Sequence, residues 1–288
     1  MHKPQATLPP LRRLLVITYR VTLDVPLQLV IKVSNLLRKR RKELGTRNGT
    51  RALTCYQQAV FILAWFRDRP GLSRLGQGFG ISQATAYRYK DEGVEVLRAL
   101  APTLHDILEK VAEQGLPYLI LDLTLIASDR CSDKKTSKKG TEIDKWYSGK
   151  AHHHAGLVQA LTGPSGIPLW VSAALPGSTH DITAARQLVL PETRPYLKKG
   201  PDPRRLRLRR RWRRSPRARE KPRNGELDIN TKTRNMLLRG ARYQGERAFA
   251  LMSQRWRAIR HVSADPSQIG DIAESVLALT QFEHKMIS

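Results

Sequence analysis

Three carboxylates in the second half of this 288-residue chain occupy positions from which a folded chain can bring acids together. Asp122 follows an apolar run, Leu116–Leu121, and is expected at or near the end of a buried strand. Asp181 precedes a helical pattern as its N-cap, and Glu246 lies on the flank of a later helix. Clustered acids repel one another, and divalent cations such as Mg²⁺ or Mn²⁺ are the usual reason that they coexist. In a chain that binds DNA, two such ions would indicate phosphodiester chemistry.

Simpler interpretations of two of these acids stay open at this point. Asp181 could serve only as a helix cap, because a carboxylate at that position accepts hydrogen bonds from the first free amides. Glu246 could be only an exposed ion-pair partner of Arg242, one turn away, or of Arg247. Spacing alone does not decide between these interpretations and catalysis.

Two further groups near the acids have chemistry of their own. Asp129 is either a spare acid near the site or a salt-bridge partner of Arg130 or Lys134. The run of three histidines that begins at His152 is reminiscent of a metal site. In a strand only His152 and His154 would share a face, so we favour a strand edge or a DNA contact over zinc.

The charge of the chain points to a polyanionic partner. Lys and Arg number 51 against 25 Asp and Glu, for a net charge of +26. Residues 1–52 and residues 201–224 each carry a net +10. A basic surface of this size favours nucleic acid, whereas solubility alone needs far less charge.

Composition also restricts the class of protein. The apolar stretch Leu14–Leu37 is interrupted by charged residues and proline, so no membrane span and no signal peptide is expected. Two cysteines cannot build a disulfide framework or a cysteine-rich zinc site. These observations favour a cytoplasmic, DNA-associated protein.

The pattern between residues 54 and 97 predicts a small helical unit that reads DNA. Thr54 caps a first helix, Leu72–Phe79 forms a second, and Gly80 permits a tight turn to a third helix capped by Ser82. An ordinary helical hairpin without DNA contact is the alternative. The side chains expected to face the major groove are Gln83, Ala84, Thr85, Arg88 and Tyr89.

The second half changes from helices to strands and back. Ala155–Leu161 and Pro168–Ala174 flank a Gly-Pro-Ser-Gly turn and are predicted to form an antiparallel hairpin. Helical patterns follow over Ile182–Leu190, Thr233–Arg260 and Gln268–Gln281. The predicted domains are a basic segment (1–52), a helix-turn-helix unit (53–112) and a catalytic domain (113–288).

The residue identities within several segments are more specific than the spacing of the acids. Together with Leu53–Leu97, these segments resemble bacterial insertion-sequence transposases of the DDE superfamily. The motifs, in chain order, are Asp122–Leu125, Trp146–Lys150, Pro168–Ser172, Pro176–Asp181 and Gly245–Ala248.

The resemblance implies an α/β (α+β) fold: a ribonuclease-H-like mixed sheet with flanking helices, preceded by an all-α helix-turn-helix domain. It assigns Asp122, Asp181 and Glu246 as the acidic triad that binds two Mg²⁺ or Mn²⁺ ions. It implies hydrolytic nicking of double-stranded DNA at terminal inverted repeats, followed by attack of the freed 3′-hydroxyl on target DNA. Lys150 and Arg242 correspond to phosphate contacts. Such enzymes commonly act as homodimers on paired ends, although the sequence leaves the oligomeric state open.

The chain departs from this family in three places, one of which is Ser253, where a lysine often follows the catalytic glutamate. Leu123 stands where glycine is usual, and it is expected to crowd the metal site. More seriously, Pro201–Asn224 holds eleven arginines where relatives have a strand with an Asp-Gly-Tyr-like motif. We expect that this segment cannot supply a buried strand. We interpret it as the product of compensating frameshifts, or alternatively as an arginine-rich insertion that binds DNA. If the frameshifts are real, the first interpretation predicts an inactive transposase or a non-catalytic DNA-binding protein; if they are errors of sequencing, it predicts an active enzyme.

Overall fold

The computed structural model describes residues 22–116, 118–129, 131–136, 140–199, 207–209, 228–263 and 265–286. Residues 1–21 of the predicted basic segment lie outside these ranges. So do all residues of Pro201–Asn224 except 207–209. No helix among the described residues is long and apolar enough to cross a membrane.

Five helices precede the sheet. A capping box starts the second of them: the Thr54 hydroxyl accepts from the Gln57 amide at 3.2 Å, and the Gln57 side chain accepts from the Thr54 amide at 3.0 Å. The turn before the fourth helix has Gly80 at φ +68°, and Ser82 then accepts from the Thr85 amide at 3.2 Å. The helices are α1 (Leu27–Glu43), α2 (Cys55–Asp68), α3 (Leu72–Gly78), α4 (Gln83–Arg98) and α5 (Leu104–Glu113).

A mixed sheet of seven strands forms the centre of the second half in the described residues. The longest strands, β1 and β5, pair antiparallel, with Asp122 opposite Ala160. The predicted hairpin is confirmed, since β6 runs antiparallel to β5. Two short strands, β2 and β3, form a separate hairpin. The strands up to α6 are β1 (Tyr118–Ser128), β2 (Lys134–Thr136), β3 (Glu142–Asp144), β4 (Tyr147–Ser148), β5 (His153–Thr162), β6 (Pro168–Val171) and β7 (Leu175–Pro176).

The remaining helices cover both faces of this sheet. The helix predicted over Ile182–Leu190 begins one residue earlier, with His180 as its N-cap, so the prediction that Asp181 is the N-cap is wrong. The helix predicted to run to Arg260 ends at Arg255, and a short 3₁₀ turn follows it. These elements are α6 (Asp181–Leu188), α7 (Leu190–Lys199), β8 (Arg207–Arg209), α8 (Ile229–Arg255), β9 (His261–Val262) and α9 (Ile269–Glu283).

The arginine-rich segment contributes a strand. Residues 207–209 form β8, which pairs in parallel with β1 so that Arg209 lies opposite Ile120. The expectation that this segment cannot supply a buried strand stays a prediction, because the pairing of residues 207–209 concerns the backbone alone. β8 stands at the end of the described strand order β4-β5-β1-β8, a position that does not require a buried central strand.

Side-chain alternation divides β1 between two cores. Leu119 and Leu121 pack with Leu161 of β5 and with helices α5 and α6 on one face. Ile126 packs with Val158 and Ala160 on the other face, in a core that includes α8 and α9. The sheet thus separates α5, α6 and α7 from α8 and α9.

The second core continues without a break into the N-terminal helices. α4 packs along α9, and the Ser275 hydroxyl donates to the Val94 carbonyl at 3.1 Å across this contact. Near the beginning of the described chain, Asp24 accepts hydrogen bonds from Arg67 and Arg255, which hold the pKa of that carboxyl below its usual value. The helical region and the sheet domain therefore share one hydrophobic core.

The crossing of α2 and α4 depends on Gly93, since a Cβ there would lie 2.5 Å from Cδ1 of the fully buried Ile62. We expect Gly93→Ala to lower the free energy of unfolding by about 1–3 kcal/mol through overpacking. Gly78→Ala is the matched control, because nothing lies within 4 Å of its added Cβ. Urea denaturation followed by circular dichroism measures both, and equal stability of the two variants would contradict this packing.

Candidate functional site

Asp122 lies in the middle of β1 rather than at its end. Its side chain is 8% exposed. Because strand residues alternate, it points to the same face as Ile120 and Ile126, toward α8 and α9. A carboxylate held at the centre of a sheet beside a helix is costly to place, so the position itself marks Asp122 as a candidate functional residue.

Gly245 brings α8 into contact with this carboxylate. A Cβ added at Gly245 would lie 3.2 Å from Cγ2 of Ile120 and 3.4 Å from Cβ of Asp122. Glu246, the next residue, is exposed on the flank of α8. The strand and the helix thus place two of the three predicted acids in neighbouring positions.

Asp181 is placed differently. It is the exposed first residue of α6, whose Ala185 packs on the Leu119–Leu121 face of the sheet. The preceding strand β7 pairs with β5 at Gly156, which is opposite Ile126. Ile126 is four residues along β1 from Asp122, which is about 13 Å at the rise of a strand. Asp181 therefore begins a helix on the face of the sheet opposite to Asp122.

The three-acid cluster predicted from the sequence is accordingly not assembled. Within the described ranges no group of three or more His, Cys, Asp or Glu side chains is arranged to hold a metal ion. Asp122 and Glu246 lie on neighbouring elements and Asp181 does not join them. The predicted two-ion site is thus incomplete in this part of the chain.

The expected crowding by Leu123 does not occur. Leu123 packs against the cluster of Leu119 and Leu121, on the face of β1 away from Asp122. Alternation along the strand therefore turns the larger side chain away from the acid.

One basic side chain, that of Lys135, contacts the loop before α6. Lys135 of the β2–β3 hairpin donates to the Ser178 hydroxyl at 2.5 Å, and Ser178 donates to the Lys145 carbonyl at 3.2 Å. Lys150 is exposed in the turn between β4 and β5. Arg242 belongs to α8, but its side chain is outside the described part of the structure.

His154 and Asp129 have structural partners. His152 precedes β5 with φ +58°, so it does not alternate with His154 as the strand pattern predicted. His154 lies 3.7 Å from the Asp144 carboxylate. Asp129 pairs with His261 at 3.3 Å and not with Lys134, whereas the other predicted partner, Arg130, lies outside the described residues. None of these contacts forms a metal site within the described chain.

The beginning of α4 presents a polar surface. Gln83, Thr85 and Arg88 lie at or near the surface, as the sequence predicted. Tyr89 does not, because its ring is 2% exposed and its hydroxyl accepts from the Leu53 amide at 3.3 Å. The prediction that Tyr89 faces DNA is wrong, and Tyr87, 44% exposed, occupies the outer face instead. The buried Ala86 and Tyr89, three residues apart, give the signal that identifies the inner face of this helix.

The basic run at 38–42 forms the last turns of α1. Arg40 pairs with Glu95, and Arg41 donates to Gln58 and to the Leu53 carbonyl. These two arginines hold helices together, whereas Arg38, Lys39 and Lys42 are exposed. The run therefore serves packing and surface charge at once.

Comparison with known proteins gives one match. A family model described as a DDE superfamily endonuclease matches residues 121–281. The matched range includes Asp122, Asp181 and Glu246, and it excludes α1 to α5. No match was found among curated proteins or among solved structures.

Loss of the hydroxyl should lower the stability of the protein at one of the two tyrosines of α4 and leave it unchanged at the other. Tyr89→Phe is expected to lower the free energy of unfolding by about 1 kcal/mol, because the buried Leu53 amide loses its acceptor. Tyr87→Phe is expected to have no effect on stability. Thermal unfolding of both variants checks this assignment, which fails if Tyr87→Phe is the less stable protein.

Proposed function

Because the chain belongs to the DDE superfamily endonuclease family, we propose that it is an insertion-sequence transposase acting on double-stranded DNA. The observation that carries the proposal is the placement of Asp122, a buried carboxylate on the central strand of the family domain, against Gly245–Glu246 of α8. We assign Asp122 and Glu246 to phosphodiester cleavage at the terminal inverted repeats and to the 3′-hydroxyl strand transfer that follows.

The N-terminal helices supply recognition in this proposal. We assign α3 and α4 as the helix-turn-helix, because they are consecutive helices and the exposed start of α4 carries Gln83, Thr85 and Arg88. A glutamine side chain suits adenine, and arginine suits guanine or phosphate. The positive N-terminal end of α4 also favours approach to a phosphate. The net charge of +26 supports a DNA partner and a strong salt dependence of binding.

Two Mg²⁺ or Mn²⁺ ions are the cofactors expected of this chemistry. Asp122 and Glu246 are hard oxygen ligands of the suitable type. The described residues do not complete the set, because Asp181 begins on the opposite face and no three-ligand group forms. The residues described here therefore do not fit the expected two-ion site.

A second candidate function follows from that disagreement: a protein that binds the element's ends without cutting them. The transposases that the sequence resembles have a strand with an Asp-Gly-Tyr-like motif where this chain has Pro201–Asn224. The described residues of β8, Arg-Leu-Arg at 207–209, pair with Tyr118–Ile120 and include no acid. This observation favours a copy that has kept recognition and lost cleavage.

Recognition is tested by Arg88→Ala in gel-shift assays on the terminal repeat that flanks the gene. We expect a loss of about 1–3 kcal/mol in binding free energy and relaxed discrimination at one base position. Arg186→Ala, which removes an exposed arginine of α6, is the charge-matched control and should change affinity little. Equal losses in both variants would show that α4 does not read DNA.

Cleavage is tested by nicking of supercoiled DNA that carries both element ends, with Mg²⁺ and with Mn²⁺. Asp122→Asn should reduce nicking by roughly a hundredfold or more, the scale of a positioned acid or base, and should leave binding intact. Asp181→Asn is the matched comparison, and the geometry predicts that it retains nicking. An equal loss of nicking in Asp181→Asn would show that Asp181 acts together with Asp122 and would support the three-acid site. Absence of nicking by the native protein, with binding intact, would establish the second candidate.

A further inference from the structure

A cleft of about 300 Å³ lies where α2, α3 and α4 meet the β9–α9 connection. It is separate from the candidate active site, since β9 pairs with β1 at Ser128, six residues along the strand from Asp122. Its volume is at the lower end of small-molecule sites and suits one nucleotide rather than a double helix. The residues that define its chemistry are Trp65, Arg69, Tyr87, Lys90, His261 and Ser263.

The described lining of the cleft combines cations with aromatic rings and includes no carboxylate. Lys90 is 4% exposed, with its Nζ 5.8 Å from the centre of the Trp65 ring. Its charge is shared with Asp91 and with Oε1 of Gln268, which lies 3.3 Å away. Because Asp91 pairs with this ammonium group, Lys90 orders the flat face of the Trp65 indole and does not supply free charge to a ligand. The flat apolar face suits an aromatic base, and the cation for an anionic group comes from Arg69.

Arg69 is held at the other side of the cleft in an unusual backbone conformation. It ends α2 with φ +53°, a left-handed geometry that non-glycine residues rarely adopt. Its Nη2 contacts His261 Nδ1 at 2.6 Å and donates to the Ser263 hydroxyl at 2.8 Å. His261 in turn pairs with Asp129. The Nε and Nη1 atoms of Arg69 have no partner among the described residues. The Arg69 guanidinium is therefore oriented by Nη2 and still has donors for a phosphate.

The cleft opens beside the polar end of α4. Tyr87 lines it and is 44% exposed. Gln83 and Ala84, which precede Tyr87 by four and three residues, lie one turn away on the same face of the helix. A DNA strand that contacts the start of α4 therefore passes the mouth of the cleft.

We propose that this cleft binds one unpaired nucleotide of a DNA strand, with its base against Tyr87 and Trp65 and its phosphate at Arg69. Aromatic stacking accepts any base, so the site holds a strand without reading its sequence. The proposal rests on the DNA-binding part of the proposed function and is independent of cleavage.

The test measures fluorescence anisotropy of a short thymidine oligonucleotide and of a blunt duplex carrying the terminal repeat. Tyr87→Ala and Arg69→Asn should each weaken single-strand binding by about tenfold, the scale of one lost stacking or charged contact. Arg69→Asn, which lies away from the face of α4 that carries Gln83, should change duplex affinity less than about twofold. Asparagine is chosen because it tolerates the left-handed backbone at position 69. Tyr87→Phe keeps the ring and should keep native affinity.

Tyr56→Ala and Arg194→Asn are the matched controls, since both remove an exposed side chain away from the cleft. Unchanged single-strand affinity in Tyr87→Ala, or equal losses of single-strand and duplex affinity in Arg69→Asn, would overturn the nucleotide site. A duplex that binds while the oligonucleotide does not would overturn the site and leave the proposed function standing. Binding of neither DNA would overturn both.

Discussion

The alternation of side chains along β1 is the constraint on which the rest of the domain depends. Even-numbered residues from Ile120 to Ile126 face α8 and α9, and odd-numbered residues face α5 and α6. One acid, Asp122, is on the even face, and Gly245 lets α8 approach it closely enough to place Glu246 nearby. The same alternation turns Leu123 away and leaves the helix of Asp181 across the sheet. A shift of one residue in strand register would reverse all of these relations.

The packing of α4 on α9 is the second constraint, because it joins the proposed DNA reader to the sheet domain through one core. The inner face of α4 is fully committed to this packing. Lys90 reaches Gln268, Val94 accepts from Ser275, and Arg98 pairs with Asp271 at the outer edge. Only the first turns of α4 remain for a ligand. Recognition and cleavage, if both are present, therefore operate at a distance fixed by a buried interface rather than by a linker.

Much of this architecture could be predicted from residue patterns. The caps at Thr54 and Ser82, the turn at Gly80 and the β5–β6 hairpin follow local rules, and local rules predicted them correctly. Tyr89 was misplaced because helical phase near a helix start depends on which side chains the neighbouring helices bury. The acid cluster was misplaced for a related reason: chain order does not say on which face of a sheet a following helix packs. The cleft at Arg69 involves residues nearly 200 positions apart, which no local pattern connects.

The arginine-rich segment shows how fold and chemistry separate. Backbone hydrogen bonds make a parallel strand from any residues that reach the edge of β1, so Arg-Leu-Arg at 207–209 suffices to pair with Tyr118–Ile120. Catalysis has a further requirement, because a phosphodiester site needs oxygen ligands near Asp122 and arginine supplies none. The described residues of β8 provide the backbone pairing with β1 and no such ligand. The proposed DNA binding draws on α4 and the cleft, neither of which depends on β8. A chain of this kind can therefore lose cleavage without losing its fold or its hold on DNA.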